Sequence, residues 1–181
     1  MTSQIEQSVE VSVVNLTRLY RGMLLSRKVD ERQRSLKRQQ KTYFQLSCAG
    51  HEALLVAAGL VLKPGVDWVY PYYRDQALCL MLGMTAEEVL LEAAGAGAAP
   101  FSGGRQMPNH WGSSRLHIAS RSSSTGMHFL HGVGCAEATT YFTRHPAVAL
   151  DNRLDHEPSE ITCVLSGEGS TSEGEFWEAV S

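Results

Sequence analysis

The chain has 181 residues, of which 43% are hydrophobic and 8% aromatic, and this content suffices to bury the core of one folded domain. It excludes a disordered tail. Sixteen basic residues stand against 19 acidic ones, so the net charge of −3 offers no general attraction to nucleic acid or to an anionic membrane. We therefore expect neither as a partner, although local positive charge can still bind a small anionic substrate.

The cysteines and the amino-terminal sequence indicate the cellular compartment of the protein. The four cysteines are far apart in the sequence and form no metal-type pair: Cys48, Cys79, Cys135 and Cys163. We expect reduced, buried thiols, which fits a reducing compartment. No apolar run has the length of a membrane span, and the start of the chain has neither the basic residues of a secretion signal nor the arginines of a transit peptide. These features favour a cytoplasmic protein.

The first 14 residues are polar and weakly patterned, and we expect a loose lead-in. Five apolar residues then recur at helical spacing: Leu16, Leu19, Tyr20, Met23 and Leu24. They predict an amphipathic helix whose apolar face packs on the domain. Nine of the 16 basic residues lie between Arg18 and Lys41. The opposite face of this helix is either a solvated surface or the complement of an acidic partner.

Helices alternate with a few strands in the rest of the chain. The patterns predict helices at residues 50–60, 75–82 and 129–142, and one that begins at the Thr85–Glu88 capping box. Residues 161–165 predict a strand, followed by a glycine-rich turn and a helix with a second capping box at Ser172 and Glu175. Such an order favours a parallel α/β sheet.

Two long segments lack helical or strand periodicity. Residues 100–124 are rich in Gly, Ser, Arg, His and Trp, and an irregular stretch of this length in a compact domain is usually functional or disordered. We interpret it as a loop that faces a ligand. Residues 145–160 are polar and charged, which indicates a surface connection.

The turn after the predicted strand has the composition of a phosphate site. Gly167, Gly169 and Gly174 follow the carboxyl end of the strand, where backbone amides and the next helix can approach a phosphate. Glu168 would repel that phosphate unless a divalent cation such as Mg²⁺ lay between the two. From the residues alone, a plain Gly-Glu-Gly turn is an equally good reading.

Three motifs resemble those of the α subunits of 2-oxo acid dehydrogenases. GEGSTSEGEFWEA at 167–179 resembles the opening of that family's thiamine diphosphate motif, AGHEA at 49–53 a helix start of the family, and DWVYPYYRD at 67–75 its Tyr-Arg segment. The similarity extends from about Leu16 to the last residue. The chain ends at Ser181, before the Asn that completes the motif in the family, which predicts an incomplete domain from a fragment or a truncated reading frame.

The resemblance implies a set of cofactor contacts. Tyr73 and Arg74 would hold the diphosphate, and Glu168 would be a ligand of Mg²⁺. Gly167, Gly169 and Ser170 would lie near the same diphosphate. SSSTGMHFLHGVGCAEA at 122–138 resembles the segment that contacts the thiamine rings, and in it Ser123 and Thr125 match the two contacts, one through a side chain and one through a backbone carbonyl.

The resemblance also implies a substrate site. GGRQMPNHWGS at 103–113 is similar to the loop over the active site in bacterial branched-chain members, and His110 matches the loop histidine that approaches the substrate. On the residues alone, a single loop histidine is more often exposed and inert. Phe44 matches an apolar wall against the substrate side chain, although a buried Phe is usually part of the core.

The implied fold is an α/β thiamine diphosphate-binding domain, a parallel sheet flanked by helices and incomplete at its carboxyl end. We expect a helical amino-terminal arm at 1–40 and the cofactor-binding part at 41–181. The implied function is oxidative decarboxylation of a branched-chain 2-oxo acid, with acyl transfer to a lipoyl group on a transacylase.

The family also implies an oligomer with a β subunit or β part, which supplies the glutamate that activates the cofactor. Three alternatives remain: an inert chain that only assembles with a partner, a pyruvate- or acetoin-type enzyme of the same family, and, disfavoured by the motifs, a transketolase-like protein.

Overall fold

The structure is a computed structural model that describes residues 13–151 and 156–181. The helices are α1 (Val13–Arg38), α2 (Glu52–Val61), α3 (Gln76–Leu82), α4 (Ala86–Ala93), α5 (Met127–Arg144), α6 (Pro146–Asp151) and α7 (Gly174–Val180). The strands are β1 (Trp68–Tyr70) and β2 (Thr162–Val164). Short 3-10 turns cover Ser114–Leu116 and Glu168–Ser172. None of the described helices is long and apolar enough to cross a membrane.

The two strands form a parallel pair in which Trp68 lies opposite Thr162 and Tyr70 opposite Val164. Val69 also bridges to Ile118 of the long loop. Successive side chains of a strand point to opposite faces, and the two faces of β1 have different neighbours. Val69 is buried in a core with Leu78 of α3, whereas the Tyr70 hydroxyl contacts Cys135 of α5. The predicted α/β class, with helices on both faces of a parallel sheet, is confirmed.

Most predicted elements are present within a few residues of their expected bounds. The capping box of α4 is complete, since the Thr85 hydroxyl accepts from the Glu88 amide and the Glu88 carboxylate accepts from the Thr85 amide. The second capping box was wrong. The residue that precedes α7 is Glu173, which makes no side-chain cap, and Ser172 belongs to the preceding 3-10 turn.

The buried face of α1 differs from the expected one. Leu16, Tyr20 and Leu24 are exposed, and of the predicted face only Leu19 and Met23 pack against the core. The buried residues are instead mostly small or polar: Gly22, Ser26, Val29, Asp30 and Gln33. They are buried because tertiary contacts use them. Gln76 of α3 donates to the Ser26 carbonyl at 2.9 Å, and Gly22 leaves room for the Met81 side chain.

Of the remaining expectations, some agree with the structure and others do not. The lead-in of residues 1–14 falls almost wholly outside the described residues, and α1 begins at Val13. The segment predicted as a surface connection contains α6, and its His156 and Glu160 side chains are largely buried against each other. All four cysteines are free, and Cys48 and Cys79 are the buried ones. The division at residue 40 stays a prediction.

Candidate functional site

The turn that follows β1 holds the predicted Tyr-Arg pair. Asp75 is 3% exposed, and its carboxylate accepts from the Tyr72 amide at 2.6 Å, which closes the turn just before α3. Burial raises the pKa of Asp75 to about 7, against the opposing effects of the Tyr72 amide and Arg121. The turn therefore places Tyr73 and Arg74 at the carboxyl end of a parallel strand, where ligands of open α/β sheets bind.

Arg74 is half-buried, and its guanidinium has partners in Ser47, Tyr72 and Tyr73. One Nη donates to the Ser47 carbonyl, and the guanidinium lies 5.3 Å from the centre of the Tyr73 ring. Burial lowers the pKa of Arg74, but Tyr72, Tyr73 and Cys48 together raise it by more, so the charge is retained. A guanidinium carries five N–H donors, and those not used here can bond two phosphate oxygens together.

Arg121 is a second cation of this site, and the sequence reasoning missed it. It is 7% exposed, donates to the Pro71 carbonyl at 3.1 Å, and lies 5.5 Å from the Tyr72 ring and 5.3 Å from the Tyr73 ring. Its Nε has no hydrogen-bond partner among the described residues. An arginine inside a serine-rich loop was the available signal. Its charge adds to the positive potential beneath the Tyr-Arg pair.

The long loop returns to the same turn through residues on either side of His110. The Asn109 amide donates to the Tyr73 carbonyl at 2.9 Å, and the indole N–H of Trp111 donates to the Tyr72 carbonyl at 3.2 Å. Trp111 is fully buried and His110 is 8% exposed. The loop is thus ordered against the Tyr-Arg turn.

His110 contacts a predicted cofactor residue. Its Nε2 lies 2.7 Å from the Ser123 hydroxyl, and its Nδ1 lies 3.3 Å from the Pro108 carbonyl. A carbonyl only accepts, so Nδ1 carries the proton of the neutral ring and Nε2 accepts from Ser123. When the ring is protonated, the hydroxyl can rotate and accept instead. His110 can therefore exchange a proton at Nε2 without losing its partner.

The Gly-Glu-Gly turn follows β2 directly and meets the same cluster. A Cβ on Gly167 would lie 3.1 Å from the Tyr72 ring, so only glycine fits there without a shift of the ring. The Ser170 hydroxyl is buried and donates to the Gly167 carbonyl at 2.6 Å, which closes the turn. Glu168 and Gly169 are exposed, and a Cβ on Gly169 would meet no atom within 4 Å. The open side of the turn therefore has room for a ligand.

The segment of Ser123 and Thr125 packs on the beginning of α7. Gly126 has a φ of +88°, and a Cβ there would lie 3.3 Å from the Cβ atoms of both Glu173 and Glu175. Two residues later, His128 donates from Nε2 to the Leu165 carbonyl at 3.0 Å, just after the end of β2. Burial lowers the pKa of His128, so it is a neutral core residue. Thr125 itself is exposed.

The structure thus joins most of the predicted residues into one cluster, defined here as the strand-end cluster: Tyr73, Arg74, His110, Ser123, Gly167 and Ser170. Phe44 is half-buried, and no ring contact joins it to this cluster within the described part of the chain. A cavity of about 350 Å³ lies beside His110 and is lined also by Phe101, Ser102, Arg105 and Ser120. A larger one of about 800 Å³, between the loop and α5, contains none of the predicted residues.

Nucleophilic catalysis by a cysteine and metal binding by protein side chains alone are both disfavoured at this cluster. Burial raises the pKa of Cys48 to about 12, so this thiol, which accepts from the Asn109 amide at 3.4 Å, is not a nucleophile at neutral pH. The described residues contain no group of three or more His, Cys, Asp or Glu side chains that would hold a metal ion by themselves. Any ion at Glu168 needs ligands from elsewhere.

Comparison with known proteins matches residues 20–181 to the family described as "Dehydrogenase E1 component". The chain is 36% identical to the 2-oxoisovalerate dehydrogenase subunit alpha of Bacillus subtilis (strain 168), over 100% of this chain and 51% of that protein. It is 28% identical to the subunit of the same name from Pseudomonas aeruginosa, over 95% of this chain and 38% of that protein.

A pyruvate dehydrogenase E1 component subunit alpha, from Mycoplasma genitalium, is 30% identical over 92% of this chain and 39% of that protein. The chain therefore spans about half, or less, of the length of these relatives.

Proposed function

Because the chain belongs to the dehydrogenase E1 component family, we propose that it is the α part of a thiamine diphosphate-dependent 2-oxo acid dehydrogenase. The observation that carries the proposal is the contact of Gly167 with Tyr72, beside Arg74. It brings a phosphate-type glycine turn and a guanidinium with unused N–H donors to adjacent strand ends. These are the two features that an anionic diphosphate requires.

The residues present fit such a cofactor. Arg74 would bond the diphosphate, and the turn from Gly167 to Ser170 would present its open side to it. The buried Arg121 Nε, which lacks a partner among the described residues, and the absence of obstruction at Gly169 both support an anionic ligand here. Ser123 and Thr125 would contact the thiamine rings.

Magnesium fits only together with the diphosphate. Glu168 is exposed and offers one carboxylate, and Mg²⁺ commonly binds through one or two carboxylates plus phosphate oxygens and water. A metal bound in this way would also relieve the repulsion between Glu168 and the diphosphate. We expect the ion to bind with the cofactor and not before it.

In the proposed reaction the cofactor supplies an electron sink for decarboxylation of the 2-oxo acid. The protein's part is to orient the substrate, to exclude water and to move a proton. His110 is the residue for the last task, since its Nε2 can give or take a proton while Ser123 remains its partner. The neighbouring Trp111 is buried and bonded to the Tyr72 carbonyl, which holds the loop in place beside this histidine.

We further propose a branched-chain substrate, with Phe44 and His110 near its side chain and carboxylate. The names of the relatives from Bacillus subtilis and Pseudomonas aeruginosa support this class, while the Mycoplasma relative supports pyruvate as the second candidate. The partners in this proposal are a β subunit or β part and a lipoyl-bearing transacylase, in an oligomer. The proposed location is the cytoplasm.

The test is an assay of carbon dioxide release by the chain assembled with a β subunit, with thiamine diphosphate and Mg²⁺ present. The account expects turnover of 3-methyl-2-oxobutanoate at a higher kcat/KM than pyruvate, and its loss in Arg74→Ala. A preference for pyruvate would overturn the substrate class alone. Assembly with the β subunit but no turnover of either acid would favour an inert assembly subunit and overturn the enzymatic proposal.

A further inference from the structure

The two neighbours of His110 are anchored to two consecutive carbonyl groups. Asn109 donates to Tyr73 and Trp111 donates to Tyr72, at 2.9 and 3.2 Å. His110 lies between these anchors, so its backbone cannot shift along the loop unless one of the hydrogen bonds breaks. The loop histidine and the turn that presents Arg74 are in this way held as one rigid unit.

Asn109, one of these two anchors, has an unusual backbone conformation. Its φ is +65°, in the left-handed region that non-glycine residues rarely adopt and that Asn tolerates better than most. The side chain is only 2% exposed, and its amide also donates to the Cys48 thiol at 3.4 Å. Cys48 is itself fixed, because its amide donates to the buried Asp30 carboxylate at 2.9 Å. The anchor is therefore part of the core.

A left-handed residue reverses the local direction of the chain, and here it determines where the next side chain points. His110 follows immediately and directs Nε2 to Ser123 and Nδ1 to Pro108. In this one orientation of the ring, both nitrogens have a hydrogen-bond partner. Loss of the Asn109 anchor would allow the imidazole ring to leave that orientation while the glycine turn from Gly167 to Ser170 stays intact.

We propose that Asn109 is a positioning residue that acts through His110 in the decarboxylation reaction. The inference rests on the proposed function, since it assigns His110 a task in that reaction. Asn109 bonds the Tyr73 carbonyl and not the Arg74 side chain or the glycine turn, so we expect its loss to affect the orientation of His110 more than cofactor affinity. Asn109 contributes by holding the imidazole within the narrow range of positions and orientations that proton transfer requires.

The experiment compares variants in the enzyme assembled with its β subunit, with 3-methyl-2-oxobutanoate as substrate. Asn109→Gly keeps the positive φ without strain and removes the amide, and Asn109→Asp keeps the shape but removes the N–H donor. Both are expected to lower kcat by about 10- to 100-fold, with KM and thiamine diphosphate affinity within about twofold of the parent. The control is Gln40→Gly, a left-handed position that is exposed, with a φ of +58°, which should change none of these values.

A second pair of variants separates positioning from general stability. If Asn109 acts through His110, Asn109→Gly has no further effect on kcat in a His110→Gln background, whereas a structural defect lowers kcat in both backgrounds. Additive losses, or an unchanged kcat in Asn109→Gly with an active parent, would overturn this proposal and leave the proposed function intact. An inactive parent enzyme would overturn both.

Discussion

The Nε2 atom of His110 lies 2.7 Å from the hydroxyl oxygen of Ser123, and this contact joins the long loop to the segment that leads into α5. The two residues are 13 positions apart in the sequence and belong to different predicted roles, one for the substrate and one for the cofactor. Their contact fixes the orientation of the imidazole through the serine hydroxyl, so removal of that hydroxyl is expected to affect the reaction.

Replacement of Ser123 by Ala removes the partner of Nε2. We expect kcat for the 2-oxo acid to fall by about tenfold, because a lost hydrogen bond of this kind leaves the imidazole free to reorient. Ser123→Thr keeps a hydroxyl and should restore most of the activity. Steady-state kinetics of the assembled enzyme is the measurement, with Ser124→Ala, an exposed neighbour, as the control. A Ser123→Ala enzyme with the parent kcat would show that the contact has no part in the reaction.

Replacement of Arg74 by Lys keeps the charge but loses the planar fork. A lysine cannot bond two phosphate oxygens together with a planar fork, so we expect thiamine diphosphate to bind about 10- to 100-fold more weakly. Titration of the cofactor into the assembled enzyme measures this directly. Arg38→Lys, at the exposed end of α1, should leave the affinity unchanged. Equal affinities for Arg74→Lys and the parent would remove Arg74 from the diphosphate site.

The buried Glu92 of α4 predicts a dependence of stability on pH. Burial raises the pKa of this carboxyl from 4.5 to about 7, and neither oxygen has a hydrogen-bond partner among the described residues. Between these two values the unfolded chain binds fewer protons than the folded one, so the free energy of unfolding falls as the pH rises from 4.5 through 7. Glu92→Gln removes the titrating group, so its stability relative to the parent should rise by about 3 kcal/mol between pH 4.5 and pH 8.

Denaturant unfolding at the two pH values measures this difference. Asp75 has a raised pKa as well and gives the same trend in both proteins, so the difference between parent and variant isolates Glu92. Glu87→Gln, an exposed position of the same helix, is the control and should show no such dependence. A pH-independent effect of Glu92→Gln would mean that the carboxyl is not buried as an unpaired group.

Much of the fold follows from local patterns in the sequence, but the burial of α1 does not. Helical spacing predicts that α1 exists, yet Ser26 and Asp30 are buried because they bond residues 50 and 18 positions away. Such partners leave no local pattern. The second capping box failed for a related reason: Ser172 had a competing role in the 3-10 turn that closes the glycine segment.

The candidate site was predictable where side chains carry the chemistry, and not where backbone atoms do. Glycines after a strand, and an Arg beside a Tyr, are visible in the sequence. The bonds from Asn109 and Trp111 end on carbonyl groups, which every residue possesses, so no residue type marks the acceptor. The burial of Arg121 over two tyrosine rings was hidden because these rings lie far away in the sequence and leave no local pattern.

The most direct test of the central claim is calorimetric titration of thiamine diphosphate into the enzyme assembled with its β subunit, with and without Mg²⁺. The account predicts binding that requires Mg²⁺, and in Glu168→Gln an affinity at least about tenfold lower with most of the Mg²⁺ dependence gone. Glu178→Gln, an exposed carboxylate of α7, should bind as the parent does. Undiminished, Mg²⁺-dependent binding in Glu168→Gln would contradict the account.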